Sequence, residues 1–379
     1  MKFLFTCRPT VGHFQPLVQL AKAARTRGHA VAFATGEPMA AQARAAGFEC
    51  FTAGLSNDES LALLGKTGVD FRALPPGEIR PFAFGRWFAG IETPPRLIDL
   101  ECICAGFRPD VILHEVAELA GPLAARLAGI PWATVGFGPL LQPNVANLAG
   151  EGVAPLWRAR GLAPLPRAGL YHHLYVDPCP PALQVPQIDE LPSTIRIRPA
   201  IGPKAASVPS GRRRIYVTFG TVWNSGPAAV ERFRAALAGS ADAAAEAIAT
   251  VGSDVDPAIL GSLPANAEAH RFVPQDELLP KCACVVAHGG SGTLLGALAW
   301  GKPLLLLPQF ADQFYNAERA RHAGVALALL PTEVTREAVS ERVRTLLADA
   351  TFSERAAQVR VELAAMPDVE TVLGRIEAL

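Results

Sequence analysis

The chain has 379 residues, and 50% of them are hydrophobic, which is enough for the cores of two to three domains. Its 35 basic residues equal its 35 acidic residues, so the charge balance favours neither nucleic acid nor an acidic partner. Uncharged apolar runs stay well short of the roughly 18 residues that a membrane span needs, and the first residues lack a signal-peptide pattern. We therefore expect a cytoplasmic globular protein without a membrane span.

The seven cysteines form an odd set without the Cys-x-x-Cys spacing of many zinc sites. Cys7, Cys282 and Cys284 lie in apolar runs that predict buried strands, where a free thiol packs like a small apolar side chain. We expect reduced thiols and no bound zinc.

The first half of the chain alternates short apolar runs with helical patterns, which is typical of a doubly wound parallel sheet. The runs predict strands at 3–7, 30–34, 48–52, 110–114 and 131–135. The patterns predict helices at 16–27, 38–46 and 119–128.

Residues 56–107 interrupt this alternation and carry aromatic side chains among prolines and glycines. These side chains are Phe71, Phe82, Phe84, Trp87 and Phe88. They could line a pocket for an apolar ligand, or they could simply pack helices together. The sequence leaves both interpretations open.

The chain is predicted to divide near its middle. Residues 139–213 are rich in proline and glycine, and the alternation of strands and helices restarts at 215–219. We predict a first Rossmann-like domain at 1–198, a linker at 199–213 and a second Rossmann-like domain at 214–366.

A glycine-rich turn in the second half is the most informative segment. It lies between a predicted strand at 282–287 and a predicted helix at 294–300, and its residues are His288, Gly289, Gly290, Ser291, Gly292 and Thr293. Such a turn lets a ligand approach the backbone, and the first helical N–H groups attract an anion such as phosphate. Tight packing without a ligand is the alternative, and Ser291 or Thr293 could also serve only as a helix cap.

Two further groups of polar residues follow predicted strands. Asp312 and Gln313 come after the strand at 302–308, and His13 comes in the loop after the first strand. Ligands of open α/β sheets bind at this edge. His13 is suited to remove a proton from a hydroxyl, although it could also be a solvent-bonded residue at a helix N-terminus.

The ordered motifs from Arg271 to Gln313, with the Gly-His-x-x-Pro loop at 12–16, resemble the UDP-glycosyltransferase-like family, and most closely its bacterial antibiotic and macrolide branch. The resemblance implies the GT-B fold, in which two Rossmann-like domains face each other across the active-site cleft. It also implies a last helix, at 367–379, that packs back on the first domain.

The activity implied by the resemblance is inverting, metal-independent transfer of a hexose or deoxyhexose. The donor would be a UDP- or dTDP-sugar, and the acceptor would be a hydroxyl of a small apolar natural product such as a polyketide. No other cofactor is implied. The sequence leaves the oligomeric state open, a homodimer included.

Residue roles also follow from the resemblance. His13 is the expected base, and Glu115 occupies the position of the family's supporting Asp, with one methylene more. His114 is more simply a packed strand residue. The donor-binding positions are Gly12, Thr221 and Asn224, the base-binding segment Arg271, Phe272 and Val273, the turn from His288 to Thr293, and the sugar-binding pair Asp312 and Gln313.

Other interpretations remain at this stage. A non-catalytic GT-B homologue acting as an assembly partner would be favoured by a missing base or a broken phosphate loop, but this chain keeps His13 and the loop. A cell-wall or lipid-linked sugar transferase usually needs a basic and apolar membrane face, and the sequence shows no such cluster. An epimerase acting on the donor sugar is a third alternative. Asp254 and Asp256 form an Asp-x-Asp pattern that binds metal in another glycosyltransferase fold, but here they lie in a predicted turn, and we expect no metal there.

Overall fold

The computed structural model describes residues 1–71, 73–202, 214–220, 226–244 and 246–379. It divides into two compact units. The first unit consists of Met1–Cys179, Val185–Arg198 and Pro367–Leu379, and the second consists of Pro180–Gln184 and Pro199–Met366. The two units are described separately below.

One short segment inside the predicted first domain belongs to the second unit. This segment, Pro180–Gln184, is held there by Arg319, whose guanidinium donates to the carbonyls of Leu183 and Gln184 at 3.0 and 2.9 Å. Its Ala182 N–H also donates to Glu362. Of the predicted linker, residues 203–213 lie outside the described residues.

A parallel seven-stranded sheet forms the centre of the first unit. Its strands are β1 (Lys2–Thr6), β2 (Ala30–Thr35), β3 (Glu49–Thr52), β4 (Val111–Glu115), β5 (Trp132–Val135), β6 (Leu174–Asp177) and β7 (Thr194–Arg196). The spatial order β3-β2-β1-β4-β5-β6-β7 reverses direction between β1 and β4. The carboxyl ends of these two strands are therefore where a ligand site is expected.

Helices cover the connections of the first unit. They are α1 (Val11–Thr26), α2 (Met39–Ala45), α3 (Asn57–Gly65), α4 (Pro76–Phe82), α5 (Thr93–Phe107), α6 (Gly121–Ala128) and α7 (Pro143–Ala159). The predicted start of α1 at residue 16 was wrong by five residues. Pro16 removes one intrahelical hydrogen bond, but the helix continues on both sides of it and places His13 in its first turn.

The aromatic segment folds as a π-helix, Ala83–Glu92, between α4 and α5. Phe71, Phe84, Trp87 and Phe88 are buried, with ring centroids 5.1 Å apart for Phe71 and Trp87 and 5.2 Å apart for Phe84 and Phe88. For these four side chains, helix packing is the arrangement observed. Phe82 is half-buried.

The second unit repeats the same architecture around a parallel six-stranded sheet. Its strands are β8 (Arg214–Thr218), β9 (Glu246–Thr250), β10 (Ala267–His270), β11 (Cys282–Ala287), β12 (Leu304–Leu306) and β13 (Ala326–Ala328). Its helices are α8 (Pro227–Ala243), α9 (Gln275–Leu278), α10 (Ser291–Ala299), α11 (Gln313–His322), α12 (Arg336–Ala348) and α13 (Ala350–Ala365). The order β10-β9-β8-β11-β12-β13 reverses between β8 and β11.

The last helix, α14 (Val369–Glu377), belongs to the first unit. Its buried face, Val372, Leu373 and Ile376, lies in the same hydrophobic core as β1 and α1. Arg27 adds ion pairs to two glutamates of the helix, at 2.8 and 2.7 Å. No helix in the described part of the chain is long and apolar enough to cross a membrane.

The cysteines of the predicted strands are packed in the cores. Cys7, Cys282 and Cys284 are buried, and the seven cysteines are free thiols. Burial raises the pKa of Cys7 to about 12, which keeps this thiol protonated at neutral pH.

Candidate active site

His13 and Glu115 meet at the switch point of the first sheet. Glu115 is the last residue of β4 and is fully buried, and His13 projects from the first turn of α1. His13 Nδ1 lies 3.0 Å from Glu115 Oε1, which is within ion-pair distance. Although Glu is longer than the expected Asp, it reaches the imidazole.

Backbone groups hold the Glu115 carboxylate in place. Oε2 accepts from the Ala117 N–H at 2.6 Å, and Oε1 accepts from the Arg8 N–H at 3.3 Å. Burial disfavours the charged form, but His13, the Ala117 N–H and Arg8 outweigh burial and hold the pKa of Glu115 below its usual value. The carboxylate is therefore ionised and fixed beside the ring.

Arg8 lies on the other side of the His13 ring, and sequence reasoning missed it. Its Nη1 is 3.2 Å from His13 Nε2, while Nε and Nη2 bond to the two oxygens of Glu92 at 2.6 and 2.7 Å. Glu92 ends the π-helix, 84 residues away in sequence. In the sequence, the aromatic side chains of that segment suggested a function, but Glu92 did not stand out.

The remaining neighbours of His13 differ in character. The ring of Phe137 packs edge-on against the imidazole, with centroids 5.2 Å apart, and adds an apolar surface beside the base. Gly12, the predicted donor contact, lies one residue before His13 in α1 and borders open space.

His114 is a packed strand residue, as expected. It is fully buried, its Nδ1 lies 2.8 Å from the Glu118 carbonyl, and Thr134 Oγ1 lies 2.7 Å from its Nε2. Burial lowers its pKa to about 4, so the ring is neutral. Because the ring is fully buried, an acceptor hydroxyl cannot reach either nitrogen, and His114 is unavailable as a base.

In the second unit, the glycine-rich turn connects β11 to α10 at the switch point of the sheet. α10 begins at Ser291 rather than at the predicted residue 294, with Gly290 as its N-cap. Ser291, Gly292 and Thr293 therefore form the first turn, where helical N–H groups have no intrahelical partner. Gly289 has a φ of 91°, which favours glycine.

Two glycines make room for His288. A Cβ on Gly290 would lie 2.5 Å from His288 Nε2, and a Cβ on Gly220, at the end of β8, would lie 2.8 Å from the same nitrogen. Burial lowers the pKa of His288 to about 4, so the ring is neutral, and its buried Nδ1 has no hydrogen-bond partner among the residues that the structure describes. The imidazole is thus held between two backbones beside the helix N-terminus.

Asp312 is bonded directly to the turn. Ser291 Oγ donates to Asp312 Oδ2 at 2.9 Å instead of capping α10. Asn316, which is buried, donates to the same oxygen at 2.8 Å and to the Gly289 carbonyl at 2.9 Å. Asn316 lies three residues beyond the predicted pair and had no predicted role; here it connects the turn to Asp312.

Gln313 is oriented by the loop before α11. Its Oε1 accepts from the N–H groups of Gln309 and Phe310 at 2.9 and 3.1 Å, which identifies Nε2 as the donor that remains. Ala311 in the same loop has a φ of 55°, a strained conformation for a residue with a Cβ. Asp312 can thus accept from a ligand hydroxyl, and Gln313 can donate to one.

The predicted base-binding segment follows β10. Phe272 is 65% exposed, and Val273 is half-buried. Arg271 contacts Asp256 at 3.3 Å, and its carbonyl accepts from the Gly252 N–H. Phe272 is the exposed apolar surface of this segment.

The predicted donor-binding residues Thr221 and Asn224 lie outside the described residues. Asp256 caps a short 3-10 turn by accepting from the Ala258 N–H at 2.9 Å. Within the described ranges, no group of three or more His, Cys, Asp or Glu side chains is arranged to hold a metal ion.

Known proteins match this chain over nearly its whole length. The family models described as "Erythromycin biosynthesis protein CIII-like", N-terminal and C-terminal domain, match residues 22–220 and 234–379. The L-demethylnoviosyl transferase of Streptomyces niveus is 30% identical over 87% of this chain and 85% of its own length. The 3-alpha-mycarosylerythronolide B desosaminyl transferase of Saccharopolyspora erythraea is 26% identical over 100% and 98%.

A solved structure agrees with this result. The spinosyn rhamnosyltransferase SpnG, complexed with thymidine diphosphate, is 26% identical, covers 100% of both chains and has a TM-score of 0.78. The two parallel α/β units and this likeness identify the GT-B fold.

Proposed function

The chain belongs to the Erythromycin biosynthesis protein CIII-like family of glycosyltransferases, and we propose that it transfers a deoxyhexose or hexose from a dTDP-sugar to a hydroxyl of a polyketide-type natural product. The family match and the named sugar transferases among its relatives support the reaction class. The thymidine diphosphate complex of SpnG supports dTDP over UDP. We further propose that the reaction occurs in the cytoplasm and inverts the anomeric carbon.

The first unit would activate the acceptor. His13 Nε2 removes the proton of the acceptor hydroxyl while the oxygen forms a bond to the anomeric carbon. Glu115, at Nδ1, fixes the orientation of the ring and stabilises the imidazolium that forms. Phe137 offers an apolar surface beside the reacting hydroxyl.

The second unit would hold the donor. The anomeric carbon–oxygen bond breaks, and the diphosphate leaves with the electron pair. The negative charge of the diphosphate is stabilised by the N–H groups of the first turn of α10, by the helix dipole and by His288. Asp312 accepts from one sugar hydroxyl and Gln313 donates to another, since their other polar atoms already have partners. In this mechanism, neither a metal nor another cofactor takes part.

The observation that carries this proposal is the 3.0 Å contact between His13 and Glu115 at the carboxyl end of β4. A non-catalytic homologue has no need for a partly exposed imidazole supported by a buried, ionised carboxylate. The contact therefore favours an active enzyme over an assembly partner.

The direct test is a panel of nucleotide sugars with the purified protein. We expect dTDP-sugars to raise the melting temperature more than UDP-sugars, and mass spectrometry to detect slow hydrolysis of the accepted donor. dTMP is the matched control, because it keeps the base but lacks the diphosphate. If no nucleotide sugar stabilises the protein or is consumed, the proposal is wrong.

A further inference from the structure

The His13 ring lies between two opposite charges. Glu115 faces Nδ1 at 3.0 Å, and the Arg8 guanidinium faces Nε2 at 3.2 Å. An arginine in a protein stays protonated, so Nη1 can only donate. Nε2 must then accept, which places the single ring proton on Nδ1, toward Glu115.

Arg8 is held too firmly to be an incidental neighbour. Arg8 and Glu92 are both buried and form a bidentate ion pair, with Nε 2.6 Å from Oε2 and Nη2 2.7 Å from Oε1. Ser60 Oγ donates to Glu92 at 2.6 Å, and the Phe88 ring lies 3.7 Å from the Arg8 guanidinium carbon. Burial disfavours the charge on Glu92, but Arg8 outweighs burial and keeps the pKa of this carboxyl below its usual value.

We propose that Arg8 is a positioning residue for His13: held by Glu92, its guanidinium keeps Nε2 free of a proton until an acceptor hydroxyl binds there. The catalytic meaning rests on the proposed function, because a base must be unprotonated before it acts. The state of the ring itself is measurable without any turnover. When an acceptor hydroxyl donates to Nε2, it replaces the Arg8 hydrogen bond, and Nη1, 3.2 Å from Nε2, can then donate to the oxygen of that hydroxyl.

The charges around the ring predict opposite effects for two substitutions. Among the described residues, Glu115 from β4 and Arg8 from the loop after β1 are the charged groups that contact the ring, and Glu92 acts through Arg8. Arg8→Met removes the cation, so Nε2 should accept a proton at higher pH. Glu92→Gln removes the anion that balances Arg8, so Nε2 should be protonated only at lower pH.

The experiment is a pH titration of the folded protein labelled with nitrogen-15 histidine, observed by NMR. The His13 signals are assigned by their loss in His13→Gln. In the parent protein at about pH 8, we expect a protonated Nδ1 and an unprotonated Nε2. Each substitution should move the protonation midpoint by about one pH unit, a tenfold change in proton affinity, in opposite directions.

Arg44→Met is the matched control, because Arg44 is an exposed, ion-paired arginine of the same unit that does not contact His13. A loosened fold would shift the protonation midpoint in the same direction in both test variants, and that result would overturn the proposal. The proposal would also be overturned if neither variant shifted the midpoint. If Arg8→Met does not fold, the nearly isosteric Glu92→Gln decides alone. If the titration gives the predicted shifts but no nucleotide sugar is turned over, the proposed function is rejected and the role of Arg8 remains.

Discussion

The two switch points of this molecule are built from different groups. In the first unit, the site is made of side chains: His13, the buried carboxylate of Glu115 and the Arg8–Glu92 ion pair. In the second unit, it is made largely of backbone, with a neutral His288 lodged between Gly220 and Gly290. The same sheet topology therefore presents two different sets of groups at its two switch points.

In the proposed function, the difference follows from what each site has to do. Moving a proton requires a group whose protonation state can change, and His13 lies between two opposite charges that would control that state. Holding a diphosphate requires fixed donors that do not titrate, and helix N–H groups with a neutral imidazole would supply them. Substitutions in the first unit should therefore change the rate, and those in the second unit should change donor affinity.

The largest effect is expected at the base. His13→Ala should lower kcat roughly 10²–10⁴-fold, which is the usual contribution of general base catalysis. Initial rates at saturating donor measure this loss. Turnover near that of the parent protein would remove His13 from the mechanism.

A smaller loss of rate is expected at Glu115. Glu115→Gln keeps the size of the side chain but removes its charge, so the rate should fall and the acidic limb of the rate–pH profile should move to lower pH. Glu115→Asp keeps the charge but shortens the reach to His13, and it should be milder than Gln. Full activity and an unchanged pH profile in Glu115→Gln would leave another group to orient the base.

The sequence predicted the parts of these sites that are local along the chain. The turn from His288 to Thr293 and the parallel sheets follow from short motifs and apolar runs. Arg8 and Glu92 were not predicted, because a contact between residues so far apart in sequence depends on how the π-helix packs. The start of α1 was misplaced, because Pro16 resembles a first helical residue but lies inside the helix.

In the second unit, substitutions should weaken donor binding. His288→Ala removes a donor to a charged group, so the Kd of dTDP should rise roughly tenfold or more. Gly290→Ala should do the same, because its Cβ would collide with the His288 ring. Calorimetry measures both, with Gly106→Ala as the control, since a Cβ there meets no other atom within 4 Å. Unchanged affinity in both variants would contradict the phosphate role of the turn.

The smallest effect is expected from metal removal. EDTA should leave activity nearly intact, because helix dipole, His288 and N–H groups would stabilise the leaving diphosphate in place of a cation. The assay compares initial rates with EDTA and with added Mg²⁺ or Mn²⁺. Complete loss that Mg²⁺ or Mn²⁺ restores would contradict this mechanism and make Asp254 and Asp256 candidate ligands.

The division of labour between the units is tested most directly by measuring kcat and the Kd of dTDP for the same two variants. The account predicts that His13→Ala lowers kcat and leaves Kd within about twofold of the parent value, because it removes an interaction made only in the transition state. It predicts that His288→Ala raises Kd. If His13→Ala weakens dTDP binding as much as His288→Ala does, or if His288→Ala binds dTDP normally, the account is contradicted.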